Sequence, residues 1–132
     1  MQMALLNGDK ETGVSVMRMV TQCDAGDVML ARPLKIQAGE TTPSLELKLS
    51  RSAAEALMES LPLLAAGKAV WTPQDEAQAS HCSKIEKSQG QLDWKKPAMR
   101  LDREIRAYHG WPGSYFFYQG KRIHVGAAPV VA

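Results

Sequence analysis

The fold is decided by residues 13–36, GVSVMRMVTQCDAGDVMLARPLKI, in which two apolar runs flank a short polar loop. The first run, residues 13–20, is rich in apolar and β-branched side chains and predicts a strand buried on both faces. The second run, residues 28–36, predicts another strand. Pro33 places that strand at a sheet edge or ends it early, because proline cannot donate to a ladder. The short connection favours antiparallel neighbours, with the loop at one end of a sheet.

Two acidic side chains, Asp24 and Asp27, stand in this loop around Ala25 and Gly26. Taken alone, these residues predict a turn, because aspartate bonds to nearby amides and glycine accepts positive φ. The alternative is a carboxylate that takes part in chemistry. The local pattern leaves both possibilities open.

A long helix is predicted after the second strand. Thr42 can cap exposed amides, and Pro43 suits the first helical position. Pro62 predicts a kink or two helices, and Gly67 predicts the end of the helical region. Apolar residues at helical spacing predict one stripe against the sheet: Leu45, Leu49, Ala53, Ala56, Leu57, Leu61 and Leu64.

A linker and a second unit are predicted beyond this helix. Residues 71–91 are polar without periodicity, which favours a linker. Pro97 and Gly110 then predict the start and end of another helix. Its apolar stripe is formed by Leu101, Ile105 and Tyr108.

The last predicted element is a hairpin over residues 114–128 that turns at Gln119-Gly120. Two strands with one helix bury too little surface for an independent core. A doubly covered strand at residues 13–20 also needs further strands beside it. We therefore expect the chain to be an internal piece of a larger protein.

Composition excludes several classes of protein. The 132 residues are 45% hydrophobic and 23% charged, and no window approaches the roughly 18 apolar residues of a membrane span. No secretory signal pattern is seen, so a cytoplasmic location is expected. Cys23 and Cys82 lie far apart without partners at metal-ligand spacing, which predicts plain thiols and no metal site.

The net charge of +2 hides an asymmetry along the chain. Residues 1–83 hold seven Lys/Arg and ten Asp/Glu, whereas residues 84–132 hold nine Lys/Arg and four Asp/Glu. A basic second part favours association with a polyanion, and a solvated surface is the alternative.

The residues around the quoted stretch carry a resemblance to a known family. A Gly-Asp-x-x-x-Gly turn (Gly8, Asp9, Gly13) is followed by a strand, an Asp-x-Gly-Asp loop and another strand. This order resembles the end of the catalytic domain of folate-dependent formyltransferases. Downstream, Pro73-Gln74 stand where methionyl-tRNA formyltransferases have their connecting linker. Further residues resemble the start of that family's C-terminal domain: Gly90, Leu92, Asp93, Trp94, Ile105, Arg106, Ala107, Tyr108, Trp111, Pro112 and Gly113.

The resemblance implies an α/β fold in three parts. Residues 1–70 are expected to be the C-terminal part of a Rossmann-like formyltransferase domain, residues 71–91 the linker, and residues 92–132 the start of an OB-fold-like, tRNA-binding domain. The implied reaction is formyl transfer from 10-formyltetrahydrofolate to the amino group of initiator methionyl-tRNA, for translation initiation. The expected enzyme is monomeric at full length, with no metal and no membrane partner.

Within this resemblance Asp24 matches the catalytic aspartate, which holds a histidine and raises its basicity. Gly26 and Asp27 are expected to shape the loop that presents Asp24. The family's Asn-x-His pair and Ser-Leu-Leu-Pro loop belong upstream of Gln2 and are absent from this sequence. We therefore expect the isolated chain to bind weakly and not to turn over.

Basic residues of the second part are candidates for contact with the tRNA backbone, because each phosphate contact releases counterions. These candidates are Lys84, Lys87, Lys95, Lys96, Arg100 and Arg103. Two other functions stay open. One is another folate-dependent formyltransferase or a formyl-folate hydrolase that acts on a small substrate, and the other is a non-catalytic tRNA-binding remnant.

Overall fold

The computed structural model describes residues 1–128 and 130. Short 3-10 turns cover Glu76–Gln78 and Lys87–Gly90. None of the described helices has the length and apolar character needed to cross a membrane. The main elements are α1 (Gln2–Asn7), β1 (Glu11–Met17), β2 (Val28–Lys35), α2 (Thr42–Ala65), α3 (Ala98–Ala107), β3 (Ser114–Tyr118) and β4 (Lys121–Val125).

Tertiary contacts divide the chain into two units that interleave along the sequence. The first contains Met1–Lys10, Ile36–Glu46 and the chain from Cys82 onward, and the second contains Glu11–Lys35 and Leu47–His81. The domain boundaries expected from the sequence, after residues 70 and 91, stay a prediction.

β1 and β2 pair antiparallel, as the short loop between them predicted, and Glu11 lies opposite Lys35. A bulge interrupts the register between Val16 and Met17. The prediction that the first strand is buried on both faces is wrong, because exposed and half-buried residues alternate along β1. Among the described residues β1 pairs only with β2.

Pro33 lies within β2, which continues to Lys35, so the prediction that proline ends the strand early is wrong. The edge alternative is confirmed, since at Pro33 the strand pairs only with β1 among the described residues, and a missing N–H is tolerated on its other side. Gly13 lies opposite Pro33, and a Cβ on Gly13 would stand 2.5 Å from the Arg32 carbonyl oxygen. This pair therefore requires a residue without a side chain.

α2 is one continuous helix, and the prediction of two helices is wrong. Pro62 lies close to its C-terminal end, so the hydrogen bond that its missing N–H removes belongs to the last turns of the helix. Gly67, at φ 66°, follows the helix as predicted and its N–H bonds to Leu64 O at 3.1 Å. Thr42, predicted to cap the helix, is the first residue of α2, and its buried hydroxyl donates to Ala107 O at 2.6 Å.

The apolar stripe predicted for α2 is only partly buried. Leu45 and Ala56 are fully buried, and Ser60, also buried, donates its hydroxyl to Ala56 O at 2.7 Å. The buried side of the helix therefore includes a serine whose hydroxyl is hydrogen-bonded to the backbone of the preceding turn. The stripe members that are exposed are Ala53, Leu57, Leu61 and Leu64.

The helix and hairpin predicted near the end of the chain are confirmed. Pro97 immediately precedes α3, and Ile105 and Tyr108 are each 4% exposed, on one face of the helix. β3 and β4 pair antiparallel around Gln119 and Gly120, which have φ values of 48° and 73°. Two consecutive positive φ values are what a two-residue hairpin turn requires.

Tyr108 makes the stability of the chain sensitive to alkaline pH. Burial raises the pKa of its phenol above the ordinary value, and the negative charge of Glu104 raises it further. The folded chain thus retains a proton that the unfolded chain releases. The contribution to the free energy of unfolding is full below about pH 10 and is lost as the pH rises through the folded pKa.

We expect Tyr108→Phe to remove this part of the alkaline loss of stability. Urea unfolding between about pH 9 and about pH 11 measures the difference in slope from the parent chain. Tyr118→Phe is the matched control, since Tyr118 is 62% exposed and should keep the parent slope. Equal slopes for the parent and Tyr108→Phe would contradict the assignment.

Candidate functional site

The Asp24 loop, defined as residues 18–27, connects β1 to β2. Arg18 N donates to Asp27 O at 3.0 Å and closes the loop at its base. Asp24 has a φ of 55°, in the left-handed region that few residues other than glycine adopt and that aspartate tolerates better than most. The chain therefore turns at Asp24 itself.

The two carboxylates of the loop differ in their surroundings. Asp24 is exposed, and its side chain has no hydrogen bond or ion pair with the described part of the chain. Asp27 is half-buried, and its backbone oxygen is the acceptor that closes the loop. The geometry thus leaves the Asp24 carboxylate available to another group. The catalytic role of Asp24 and the loop-shaping role of Asp27 stay predictions.

Gly26 is buried, and a Cβ at this position would overlap the carbonyl oxygen of Arg18. Its φ is not positive, so the expectation that glycine supplies the left-handed conformation is wrong. Asp24 supplies that conformation instead. Gly26 is needed for space, because the backbone of the loop returns against the Arg18 carbonyl group.

A second segment, residues 71–74, reaches the same loop, and sequence reasoning placed it only in a linker. Val28 and Thr72 exchange two backbone hydrogen bonds of 2.8 and 2.9 Å. The Nε2 atom of Gln74 donates to Asp24 O at 2.8 Å and to Gly26 O at 2.7 Å. The β-favouring trio Val70-Trp71-Thr72 is the signal that could have indicated this pairing.

A buried carboxylate organises part of the basic surface in the other unit. Glu104 is 2% exposed and its Oε1 accepts from Lys96 Nζ at 2.8 Å and from Arg100 Nε at 3.1 Å. Two of the predicted tRNA-contact residues, Lys96 and Arg100, therefore form ion pairs with a buried carboxylate of their own unit. Both cations bind Oε1, whereas Oε2 is buried and has no hydrogen-bond partner among the described residues.

Two arginines of α3 also bind the C-terminal end of α1. Arg100 donates to Leu6 O at 2.8 Å, and Arg103 donates to Asn7 O at 3.0 Å. Carbonyl groups at the end of a helix lack partners within it and carry partial negative charge, so guanidinium groups stabilise them. The remaining tRNA-contact candidates are exposed, and their side chains have no partner among residues 1–128 and 130: Lys84, Lys87 and Lys95.

Potential metal ligands do not gather in the described part of the chain. No group of three or more His, Cys, Asp or Glu side chains is arranged to hold an ion there. Cys23 and Cys82 are both exposed free thiols.

Known protein structures share this fold. HypX from Aquifex aeolicus in complex with tetrahydrofolic acid matches with a TM-score of 0.78 and 24% identity, over 92% of this chain and 21% of that one. A 4-N formyltransferase from Francisella tularensis matches with a TM-score of 0.80 and 18% identity, over 99% and 55% of the two chains. The N-formyltransferase from Helicobacter canadensis, bound to folinic acid and dTDP-3-aminofucose, matches with a TM-score of 0.78 and 16% identity, over 89% and 44%. The chain therefore spans about a fifth to just over half of these proteins.

Two protein-family models match the sequence. The model described as formyl transferase matches residues 1–61, and the model described as formyl transferase, C-terminal domain, matches residues 84–132. The Asp24 loop lies within the first match, and α3 with the following hairpin lies within the second. The α/β fold class predicted from the sequence, a formyltransferase part followed by the start of a C-terminal domain, is confirmed. The chain belongs to the formyl transferase family.

Proposed function

We propose that this chain is part of an enzyme that transfers a formyl group from 10-formyltetrahydrofolate to an amine, with Asp24 as a catalytic residue. The observation that carries the proposal is the Asp24 loop itself. An exposed carboxylate without a partner in the described chain stands on a backbone tied at Arg18 and Gln74, within the formyl transferase match. The folate compounds bound by HypX and the Helicobacter enzyme support the choice of co-substrate.

The chemistry assigns a definite task to Asp24. The acceptor amine attacks the formyl carbon, negative charge develops on the formyl oxygen, and a proton moves to the departing folate nitrogen. A carboxylate beside a histidine stabilises the imidazolium and raises the basicity of the ring. The exposed Asp24 oxygens are available for such a histidine, contributed by another part of the catalytic domain.

For the acceptor we propose initiator methionyl-tRNA. The basic character of residues 84–132 supports a polyanionic substrate, and Lys84, Lys87 and Lys95 present ammonium groups that no described side chain neutralises. The Arg106-Ala107-Tyr108 run with the downstream Trp-Pro-Gly also resembles the tRNA enzymes. An amino-sugar nucleotide is the second candidate, because several structures of similar fold are sugar N-formyltransferases.

Formyl transfer by the protein in its full encoded length tests this proposal. Labelled 10-formyltetrahydrofolate is incubated with initiator methionyl-tRNA or with a dTDP-amino sugar, and formylated product is counted. Formylation of the tRNA alone is expected. Formylation of the sugar alone would replace the acceptor but keep the reaction, whereas no transfer to either would remove the proposed activity.

We expect the free lysines to dominate the salt dependence of tRNA binding. Replacing Lys84, Lys87 and Lys95 together with glutamine should weaken binding and reduce the slope of log K against log salt by about one per lost phosphate contact. Binding is measured by filter retention over a series of salt concentrations. A Lys68→Gln variant, from the other unit, is the control and should keep the parent slope. An unchanged slope in the triple variant would contradict these contacts.

A further inference from the structure

The segment that follows α2 contacts the Asp24 loop at three separate points. Thr72 pairs with Val28 where the loop enters β2. The Trp71 ring lies under the Arg18 guanidinium, whose carbon is 4.4 Å from the ring centroid, where β1 enters the loop. Gln74 contacts the middle of the loop. Residues 71–74, here called the clamp segment, therefore contact the two ends and the centre of the Asp24 loop.

The side-chain amide of Gln74 holds two carbonyl groups of the loop at once. A primary amide carries two N–H groups, and its two oxygen acceptors are the carbonyl groups of Asp24 and Gly26, at 2.8 and 2.7 Å, with Met17 Sδ further away at 4.0 Å. These carbonyl groups lie on either side of the Ala25-Gly26 dipeptide backbone. Fixing both of them sets the orientation of the peptide groups that follow Asp24, and with them the left-handed backbone at Asp24.

We propose that Gln74 is a positioning residue that holds the Asp24 loop so that the Asp24 carboxylate keeps one direction. This proposal rests on the proposed function of Asp24. Gln74 acts through the loop backbone, since its amide bonds to carbonyl oxygens and leaves the Asp24 carboxylate free. A conformation that is costly for a non-glycine residue persists only where neighbouring groups enforce it, and Gln74 supplies that enforcement.

The clamp is tested first without any reaction, in the protein of full encoded length. Gln74→Glu keeps the shape of the side chain but places a carboxylate against two carbonyl oxygens. Hydrogen exchange at the amides of Arg18, Val28 and Thr72, which are all bonded around the loop, should accelerate roughly tenfold or more. Gln78→Glu is the matched control, because Gln78 bonds only within its own turn, to Asp75. Unchanged exchange in Gln74→Glu would overturn the clamp.

The positioning role is tested by a double-mutant cycle in the protein of full encoded length. Gln74→Glu is expected to lower kcat roughly tenfold or more with little change in KM, and to add nothing further in an Asp24→Asn background. Equal losses in both backgrounds would overturn the proposal, because Gln74 would then act independently of Asp24. If Asp24→Asn leaves kcat unchanged, the proposed function of Asp24 and the positioning role both fail, while the exchange data still establish the clamp.

Discussion

Asp24→Asn is expected to lower kcat for formyl transfer by roughly 10²- to 10⁴-fold in the protein of full encoded length. The asparagine keeps the size of the side chain and tolerates the left-handed backbone at this position, so the loop should retain its shape. What is lost is the negative charge that stabilises a neighbouring imidazolium. Steady-state kinetics with labelled 10-formyltetrahydrofolate provide the measurement, and thermal unfolding of the variant shows whether the fold is retained.

Asp27→Asn is the matched control for this variant. Asp27 lies in the same loop and is half-buried, whereas Asp24 is exposed, and the substitution keeps the Asp27 backbone oxygen that closes the loop. Its replacement should affect stability more than Asp24→Asn and kcat much less. A comparable fall in kcat for both variants would show that the loop tolerates no change. That result would contradict a catalytic role specific to Asp24.

Ile105→Ala is expected to lower the free energy of unfolding by about 2–5 kcal/mol. Ile105 is 4% exposed and lies on the buried face of α3, between the turns that carry Leu101 and Tyr108. Removing three carbon atoms there loses their transfer free energy and leaves a cavity that the helix cannot close. Urea unfolding followed by circular dichroism measures the effect.

Met99→Ala provides the comparison on the same helix, because Met99 is 56% exposed. Its effect should stay within about 0.5 kcal/mol, as for most surface positions. If both variants unfold at the same urea concentration as the parent chain, α3 does not depend on its apolar stripe, and the interpretation of the stripe as core would be wrong.

Local signals in the sequence predicted most of the elements. The residues between the two apolar runs indicated an antiparallel pair, and Gln119-Gly120 indicated the hairpin turn. The stripe containing Ile105 and Tyr108 indicated the buried face of α3. These features depend on hydrogen bonding and periodicity over a few residues, so the surrounding structure changes them little.

The burial predictions were less successful because burial depends on distant residues. β1 was expected to be covered on both faces, and Leu57 and Leu61 were expected to face the sheet, yet both leucines are nearly half exposed. Apolar character indicates that a residue favours burial. It does not specify which element covers that residue, or whether a serine such as Ser60 occupies the buried side.

What the sequence determined by itself was the kind of element at each place, the asymmetry of charge and the family pattern that singled out Asp24. Only the tertiary structure decided that Asp24, and not Gly26, has positive φ, and that Gln74 bonds to a loop some fifty residues away. Only the structure also decided that Arg103 donates a hydrogen bond to the C-terminal end of α1. The physical reason is that hydrogen bonds between distant segments form where the folded chain brings a donor to a carbonyl group, and no local pattern records that meeting.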